Sequence, residues 1–128
     1  MIRAKIVGIL TKDDVSLFEL KGLNLEANLF MLVLNEASKF ALNDEISLGF
    51  KSSDVVLAKN RLDTSSLENE LKCVVEAINF GEVLSVVSLK CDQISFEAII
   101  SNHALKVLNL SKNDSVFAYI KSTSIHIS

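Results

Sequence analysis

A unit of about 65 residues occurs twice in this chain, and this duplication limits the folds that the chain can adopt. "VSLFELK" at 15–21 matches "LSVVSLK" at 84–90. "LNDEISLGFKSS" at 42–53 matches "LSKNDSVFAYIKST" at 110–123 if two residues are allowed as a loop insertion. The blocks follow the same order in both halves, so the sequence predicts two copies of one small folding unit.

The opening block of the repeat aligns less clearly. We align "AKIVGI" at 4–9 with "LKCVVE" at 71–76, which matches Lys5 with Lys72 and Val7 with Val74. This alignment rests on a shared pattern rather than on many identities.

A polar stretch, "AKNRLDTSSLEN", separates the two copies. It contains no proline or glycine and has the composition of a short linker. We therefore predict two domains, residues 1–60 and residues 61–128.

Most of each copy has the pattern of β-strands. In "SVFAYIKS", Val116, Ala118 and Ile120 alternate with the intervening aromatic residues, which is the period-two pattern of a strand. One segment per copy is helical instead: "SNHALKVLNL", after a Ser-Asn start, and "NEASKFAL", with Asn35 as its cap. The predicted fold class is all-β with one short helix per repeat, arranged as two tandem OB-like five-stranded barrels.

Charge and composition argue against several kinds of partner. The net charge is −3, and the chain has one tyrosine and no tryptophan, so neither a basic surface nor a base-stacking platform for nucleic acid is indicated. No apolar run is long enough to span a membrane, and we recognise no signal peptide. The expectation is a cytoplasmic protein that binds neither nucleic acid nor membrane.

The sequence does not indicate an enzyme or a metal centre. Serine, histidine and carboxylate residues form no recognisable nucleophile arrangement, and the four glycines form no phosphate-binding loop. His103 and His126 are isolated, and zinc needs three or four converging ligands. Cys73 and Cys91 form no CxxC pair, so we expect two reduced, half-buried thiols.

The second half resembles the molybdate-binding Mop/TOBE domain. The resemblance rests on "SLENELKCVVEAINFGEVLSVVSL" and "IISNHALKVLNLSKNDSVFAYIKSTSIHIS". The family opens with Ser-x-Arg-Asn-x-Leu-Lys-Gly and closes with Ile-Lys-Ala-Ser/Thr. The whole chain is similar to tandem Mop proteins, the molbindins, and to the effector domain of molybdate-responsive regulators. This resemblance implies OB-like barrels, oxyanion binding between barrels and assembly into dimers or trimers.

Molybdate and tungstate accept hydrogen bonds but donate none, so their site needs cations, hydroxyls, amides and backbone N–H groups. A lysine followed by two hydroxyl residues near a strand end supplies several such donors. The predicted oxyanion-binding residues are those of the two Lys-Ser segments together with the residues that match other family positions: Lys51, Ser52, Ser53, Ser66, Asn69, Ser101, Lys121, Ser122 and Thr123. The expected ligand is molybdate or tungstate, with no organic cofactor.

Two departures from the family pattern support an alternative. Glu68 stands where the family has arginine, and Leu34 falls at or near the first-half position that matches Ser101. The alternative is a TOBE-type interaction module that has lost anion binding and docks on a molybdate transporter ATPase or a regulator. A binding protein for storage, buffering or sensing remains the leading hypothesis.

Overall fold

The computed structural model describes residues 2–128 and shows a mostly β protein with one α-helix. The ten strands, in chain order, are Ile2–Lys12 (β1), Val15–Gly22 (β2), Asn28–Leu34 (β3), Glu45–Gly49 (β4), Val56–Ala58 (β5), Asn69–Phe80 (β6), Leu84–Cys91 (β7), Ile94–Ser101 (β8), Ser115–Ile120 (β9) and His126–Ile127 (β10). The α-helix α1 spans Asn102–Leu108, between β8 and β9. No helix within residues 2–128 combines the length and apolarity needed to cross a bilayer.

The strands form two five-stranded sheets, and both have the barrel-type curvature expected from the sequence. The first sheet has the order β10-β4-β1-β2-β3, and the second has the order β5-β9-β6-β7-β8. Alternate residues of each strand face inward, as in β1, where Ile2, Ala4 and Ile6 are buried. The buried faces of the two sheets contribute to one apolar core.

The two sheets exchange their closing strands. β5 lies in the first half of the sequence but pairs with β9 of the second sheet, with Val56 opposite Tyr119. β10 lies at the other end and pairs with β4 of the first sheet, with His126 opposite Gly49. Each half of the sequence therefore completes the sheet of the other. The division into domains 1–60 and 61–128 stays a prediction.

Strand pairing corrects the predicted alignment of the opening block. Lys5 pairs with Lys21 in the first sheet, and Val74 pairs with Lys90 at the matching place in the second. Lys5 therefore corresponds to Val74, not to Lys72 as predicted. A two-residue shift keeps every side chain on the same face of the strand, so the alternating pattern could not reveal the error.

Only the second half contains the predicted α-helix. The Ser101 hydroxyl accepts a hydrogen bond from the Ala104 N–H at 3.0 Å and caps α1, as the Ser-Asn start indicated. In the first half the prediction of a helix capped by Asn35 is wrong, because a single 3-10 turn, Ala37–Lys39, takes its place. Asn35 adopts a left-handed backbone (φ 61°), and no side chain caps the turn. Leu34 occupies the strand position of Ser101 and has no hydroxyl with which to cap a helix.

Candidate functional site

The two Lys-Ser segments form equivalent turns, one that follows β4 after a single residue, Phe50, and one directly after β9. In the C-terminal turn, residues 121–124, the Ser124 N–H donates to the Lys121 carbonyl at 2.9 Å. In the first-half turn, residues 51–54, the Asp54 N–H donates to the Lys51 carbonyl, also at 2.9 Å. Each turn leads into one of the exchanged strands, so the repeated phrase marks the point where the chain crosses to the other sheet.

The C-terminal turn lies against the third strand of the first sheet. The Leu32 N–H of β3 donates to the Ser122 carbonyl at 3.1 Å. The fully buried Asn69 amide pairs with the backbone of Phe30: its oxygen accepts from the N–H at 2.6 Å, and its nitrogen donates to the carbonyl at 2.9 Å. The start of β6, the turn and β3 therefore meet at one place, with groups from both halves of the chain.

Glu68 lies within this cluster and engages the predicted anion-binding hydroxyl. The Ser122 hydroxyl is nearly buried and donates to the Glu68 carboxylate at 2.7 Å. In the sequence, Glu68 is a departure from the arginine of the family pattern, which supports a loss of anion binding. The structure shows it bound to Ser122, so its negative charge lies at the position where an anion would use that hydroxyl.

The remaining predicted donors lie in different environments. Both lysines, Lys51 and Lys121, are exposed, and within residues 2–128 neither has a carboxylate at salt-bridge distance. The first-half turn packs against β8 and leaves Ser52 half-buried. Ser53, Ser66 and Thr123 are exposed, and the Ser101 hydroxyl accepts from the helix backbone. Of the predicted residues, the structure thus joins Ser122 and Asn69 through direct contacts with β3, while the exposed donors face solvent.

Sequence reasoning missed the groups that hold this region together. Phe30 and Leu32 contribute backbone atoms, for which no residue type gives a signal. Nearby, the Tyr119 hydroxyl donates to the Glu70 carboxylate at 2.9 Å and accepts from the Leu62 N–H at 2.8 Å. Arg61 also binds Glu70, at 3.1 Å. These contacts hold the linker residues Arg61 and Leu62 against β6 and β9 of the second sheet. Tyr119 is the single tyrosine of the chain, and this rarity is the one sequence signal that could have drawn attention to the network.

Burial and hydrogen bonding shift the ionisation of this network. Burial raises the pKa of Tyr119, to which the hydrogen bond to Glu70 also contributes. The hydrogen bond to Glu70 likewise raises the pKa of Arg61. The tyrosine therefore stays protonated and remains a donor well above neutral pH.

Metal-binding chemistry finds no support in this arrangement. Across residues 2–128, no three His, Cys, Asp or Glu side chains gather closely enough to hold an ion. The cluster around the C-terminal turn instead combines the Asn69 amide, the Ser122 hydroxyl, backbone groups of β3 and the exposed Lys121 with the carboxylate of Glu68.

Comparison with solved structures identifies similar folds. The chain superposes on the cytoplasmic molybdate-binding protein ModG, in a form with molybdate bound, with a TM-score of 0.90 and 19% identity; the match covers 99% of this chain and 93% of that one. A molybdate-binding protein from Sporomusa ovata is 25% identical over 46% of this chain and 88% of its own, with a TM-score of 0.45. The likeness to ModG confirms the mostly β, OB-like architecture over nearly the whole chain.

Family comparison agrees with the phrases quoted from the second half. Comparison with curated proteins finds no sequence relative. The model of the TOBE domain matches residues 65–127, which contain β6 to β10 and the C-terminal turn. The predicted resemblance of the second half to the TOBE domain is thereby confirmed.

Proposed function

We propose that this protein binds molybdate or tungstate reversibly and without catalysis, as a store, buffer or sensor of the oxyanion. The observation that carries the proposal is the near-complete fold match to ModG, a molybdate-binding protein, together with the TOBE domain at residues 65–127. The cytoplasmic location described for ModG supports the same location here.

The two Lys-Ser turns supply the chemistry that a tetrahedral dianion requires. Lys51 and Lys121 each carry a cation that no carboxylate within residues 2–128 neutralises at close range. Charge-assisted hydrogen bonds contribute about 1.5–3 kcal/mol each. Four or five of them give roughly micromolar binding after ordering costs.

The geometry favours binding between barrels rather than inside one chain. Both lysines and the neighbouring hydroxyls of Ser53 and Thr123 are exposed. A small anion held only by exposed groups would remain largely hydrated, so a second surface is needed to complete its shell. We propose that this surface belongs to another copy of the chain in a homodimer or homotrimer.

Isothermal titration with molybdate, tungstate and sulfate tests the proposal. Wild-type protein should release or absorb heat with molybdate and tungstate. Lys121→Met and Lys51→Met should each weaken binding by about tenfold or more, since each removes a charge-assisted interaction. Lys12→Met, an exposed lysine at the end of β1, is the matched control and should bind like wild type. Absence of both heat and a thermal shift at millimolar molybdate would rule out the proposal.

A second candidate is a TOBE-type interaction module without a ligand. It is favoured by the commitment of two predicted donors: the Ser122 hydroxyl donates to Glu68, and the Asn69 amide donates to the Phe30 carbonyl. On this hypothesis the protein docks on a molybdate transporter ATPase or a regulator. A pull-down with such a protein, equally efficient with and without molybdate, would support it; no capture in either condition would count against it.

A further inference from the structure

The two cysteines, Cys73 and Cys91, lie on neighbouring strands of the second sheet, and both side chains face inward. Cys73 is in β6 and Cys91 ends β7. They are 1% and 5% exposed, so both thiols are more deeply buried than the sequence indicated. Both are free thiols in this structure.

The strand register places the two cysteines opposite each other. The last pair of the β6–β7 ladder is Val74 with Lys90, and continuing it by one residue sets Cys73 across from Cys91. The same position in the first sheet is occupied by Ala4 and Gly22, which are paired within the ladder. The Leu23 N–H donates to the Arg3 carbonyl at 2.9 Å, and this bond makes Ala4–Gly22 a non-hydrogen-bonded pair.

Non-hydrogen-bonded partners on antiparallel strands are close enough for a disulfide. Their Cα atoms are about 4.5 Å apart, and a disulfide requires about 4.4–6.8 Å. The Cys73–Cys91 position lies one residue beyond the last pair of the β6–β7 ladder, while each cysteine is paired on its other side, Cys73 with Val116 and Cys91 with Ile94. The repeat thus provides a natural comparison, in which the same place holds a dithiol in one copy and two small, inert residues in the other.

The two thiols also influence each other's ionisation. A hydrogen bond between them, followed by burial, raises the pKa of Cys73. The same hydrogen bond lowers the pKa of Cys91. The Cys73 thiol also donates to the Leu71 carbonyl, at 3.4 Å. This pattern distinguishes Cys91 as the more readily ionised thiol and Cys73 as its proton-bearing neighbour.

A surface cavity of about 660 Å³ lies beside this position. Its lining includes Cys73, the three lysines Lys72, Lys90 and Lys112, and Asp92, which directly follows Cys91. Cys91 itself is 5% exposed, so a small oxidant reaches its sulfur only when the strand ends open slightly beside this cavity.

We propose that Cys73 and Cys91 form a dithiol site that a peroxide oxidises to a reversible intramolecular disulfide across β6 and β7. The Cys91 thiolate attacks one oxygen of the peroxide and breaks the O–O bond, which gives a sulfenic acid and hydroxide. The Cys73 sulfur then attacks the Cys91 sulfur and displaces the sulfenic oxygen, which leaves as water with the thiol proton. The two thiols lose two electrons and two protons in total, and one peroxide becomes two waters. A small thiol reverses the reaction by disulfide exchange.

Mass spectrometry of the full chain tests the proposal. After treatment with hydrogen peroxide and unfolding in a thiol-alkylating reagent, wild-type protein should be lighter by two hydrogen atoms, and neither cysteine should be alkylated. Peptide mapping should show Cys73 joined to Cys91 within one chain, and a reducing thiol should restore both alkylation sites. Full alkylation of both cysteines after peroxide treatment would overturn the proposal, as would cross-links between chains in place of the internal one.

Two variants separate the roles of the thiols. In Cys73→Ala, which copies the residue of the first sheet, Cys91 should accumulate as a sulfenic acid that a dimedone-type reagent traps. In Cys91→Ser, Cys73 should remain unmodified under the same conditions. Equal trapping at either cysteine would contradict the assigned order of attack, and the measurement on wild type tests the disulfide itself even if a variant folds poorly.

Discussion

At the scale of single residues, Glu68 holds the Ser122 hydroxyl, which is one of the proposed anion-binding groups. A carboxylate about 4 Å from an anion opposes it by about 4 kcal/mol per unit charge at an effective dielectric near 20. Glu68 is exposed, so solvent and salt screen this repulsion substantially. Nevertheless, its contact with Ser122 places it at the site of the proposed ligand.

We predict that Glu68→Gln tightens molybdate binding by about tenfold or more, because it removes the charge and keeps the shape. Calorimetric titration measures the change. Glu36→Gln is the matched control, since that carboxylate faces Lys39 at 3.6 Å. If the Glu68 variant binds no more tightly than the control, the anion does not use the Ser122 hydroxyl.

Tyr119 gives a second prediction, on pH. Its unfolded form ionises near pH 10, whereas burial raises the folded pKa above that value. Above the unfolded pKa, deprotonation favours the unfolded chain, so stability falls as the pH rises from there through the folded pKa. Because the chain has one tyrosine and no tryptophan, phenolate absorbance reports this group alone. Urea unfolding of Tyr119→Phe should lack this component, and an unshifted native titration would contradict the prediction.

Residue types predicted the donors but not their partners. Lysine, serine and asparagine at the family positions were visible in the sequence, and so was the anomalous Glu68. The contact between Glu68 and Ser122 was not, because it joins residues that are distant along the chain. The contribution of the β3 backbone could not be predicted either, since nearly every residue type carries the same N–H and carbonyl groups.

At the scale of elements, the exchanged strands make each sheet depend on the opposite half of the sequence. Ile125 is 4% exposed and directly precedes β10, and Val55 is 3% exposed and directly precedes β5. Both belong to the common core. The burial of these two side chains helps to hold β5 and β10 in place, because each of these short strands forms only a few backbone pairs with its neighbour.

We predict that Ile125→Ala lowers the free energy of unfolding by about 2–5 kcal/mol, because it leaves a cavity in the core. Its local effect should appear in the first sheet, as faster amide exchange in β4 around Gly49. Val55→Ala is the reciprocal variant and should act on β9 around Tyr119. If exchange quickens only in the sheet formed mainly by the mutated half, the observed pairing of β5 and β10 would be contradicted.

Elements were predicted well where the pattern was strong. The strand alternation and the Ser101 cap were confirmed, since both follow from local sequence. The first-half helix failed because Leu34 replaced the capping hydroxyl and Asn35 took a left-handed backbone conformation. The exchange of β5 and β10 could not be predicted from local sequence. Both copies carry the Lys-Ser segment before the exchanged strand, and this segment does not indicate which sheet the strand joins.

At the scale of the whole molecule, the two halves should unfold together. Each sheet loses an edge strand if the other half unfolds, and the core is shared. We predict a single transition in urea, with coincident midpoints from Tyr119 absorbance, which reports the second sheet, and from far-ultraviolet circular dichroism, which reports both. Separate midpoints would show that the halves are independent, and a stably folded fragment of residues 1–60 would point the same way.

The pairing of β10 with β4 has a consequence during translation. The nascent chain exposes the free edge of β4 until His126 and Ile127 leave the ribosome. At about 5–20 residues per second, synthesis of the intervening segment takes on the order of ten seconds. Throughout that interval, the exposed edge is a template for strands of neighbouring nascent chains. Two chains made side by side on one messenger can therefore close each other's sheets and emerge as an interlocked pair.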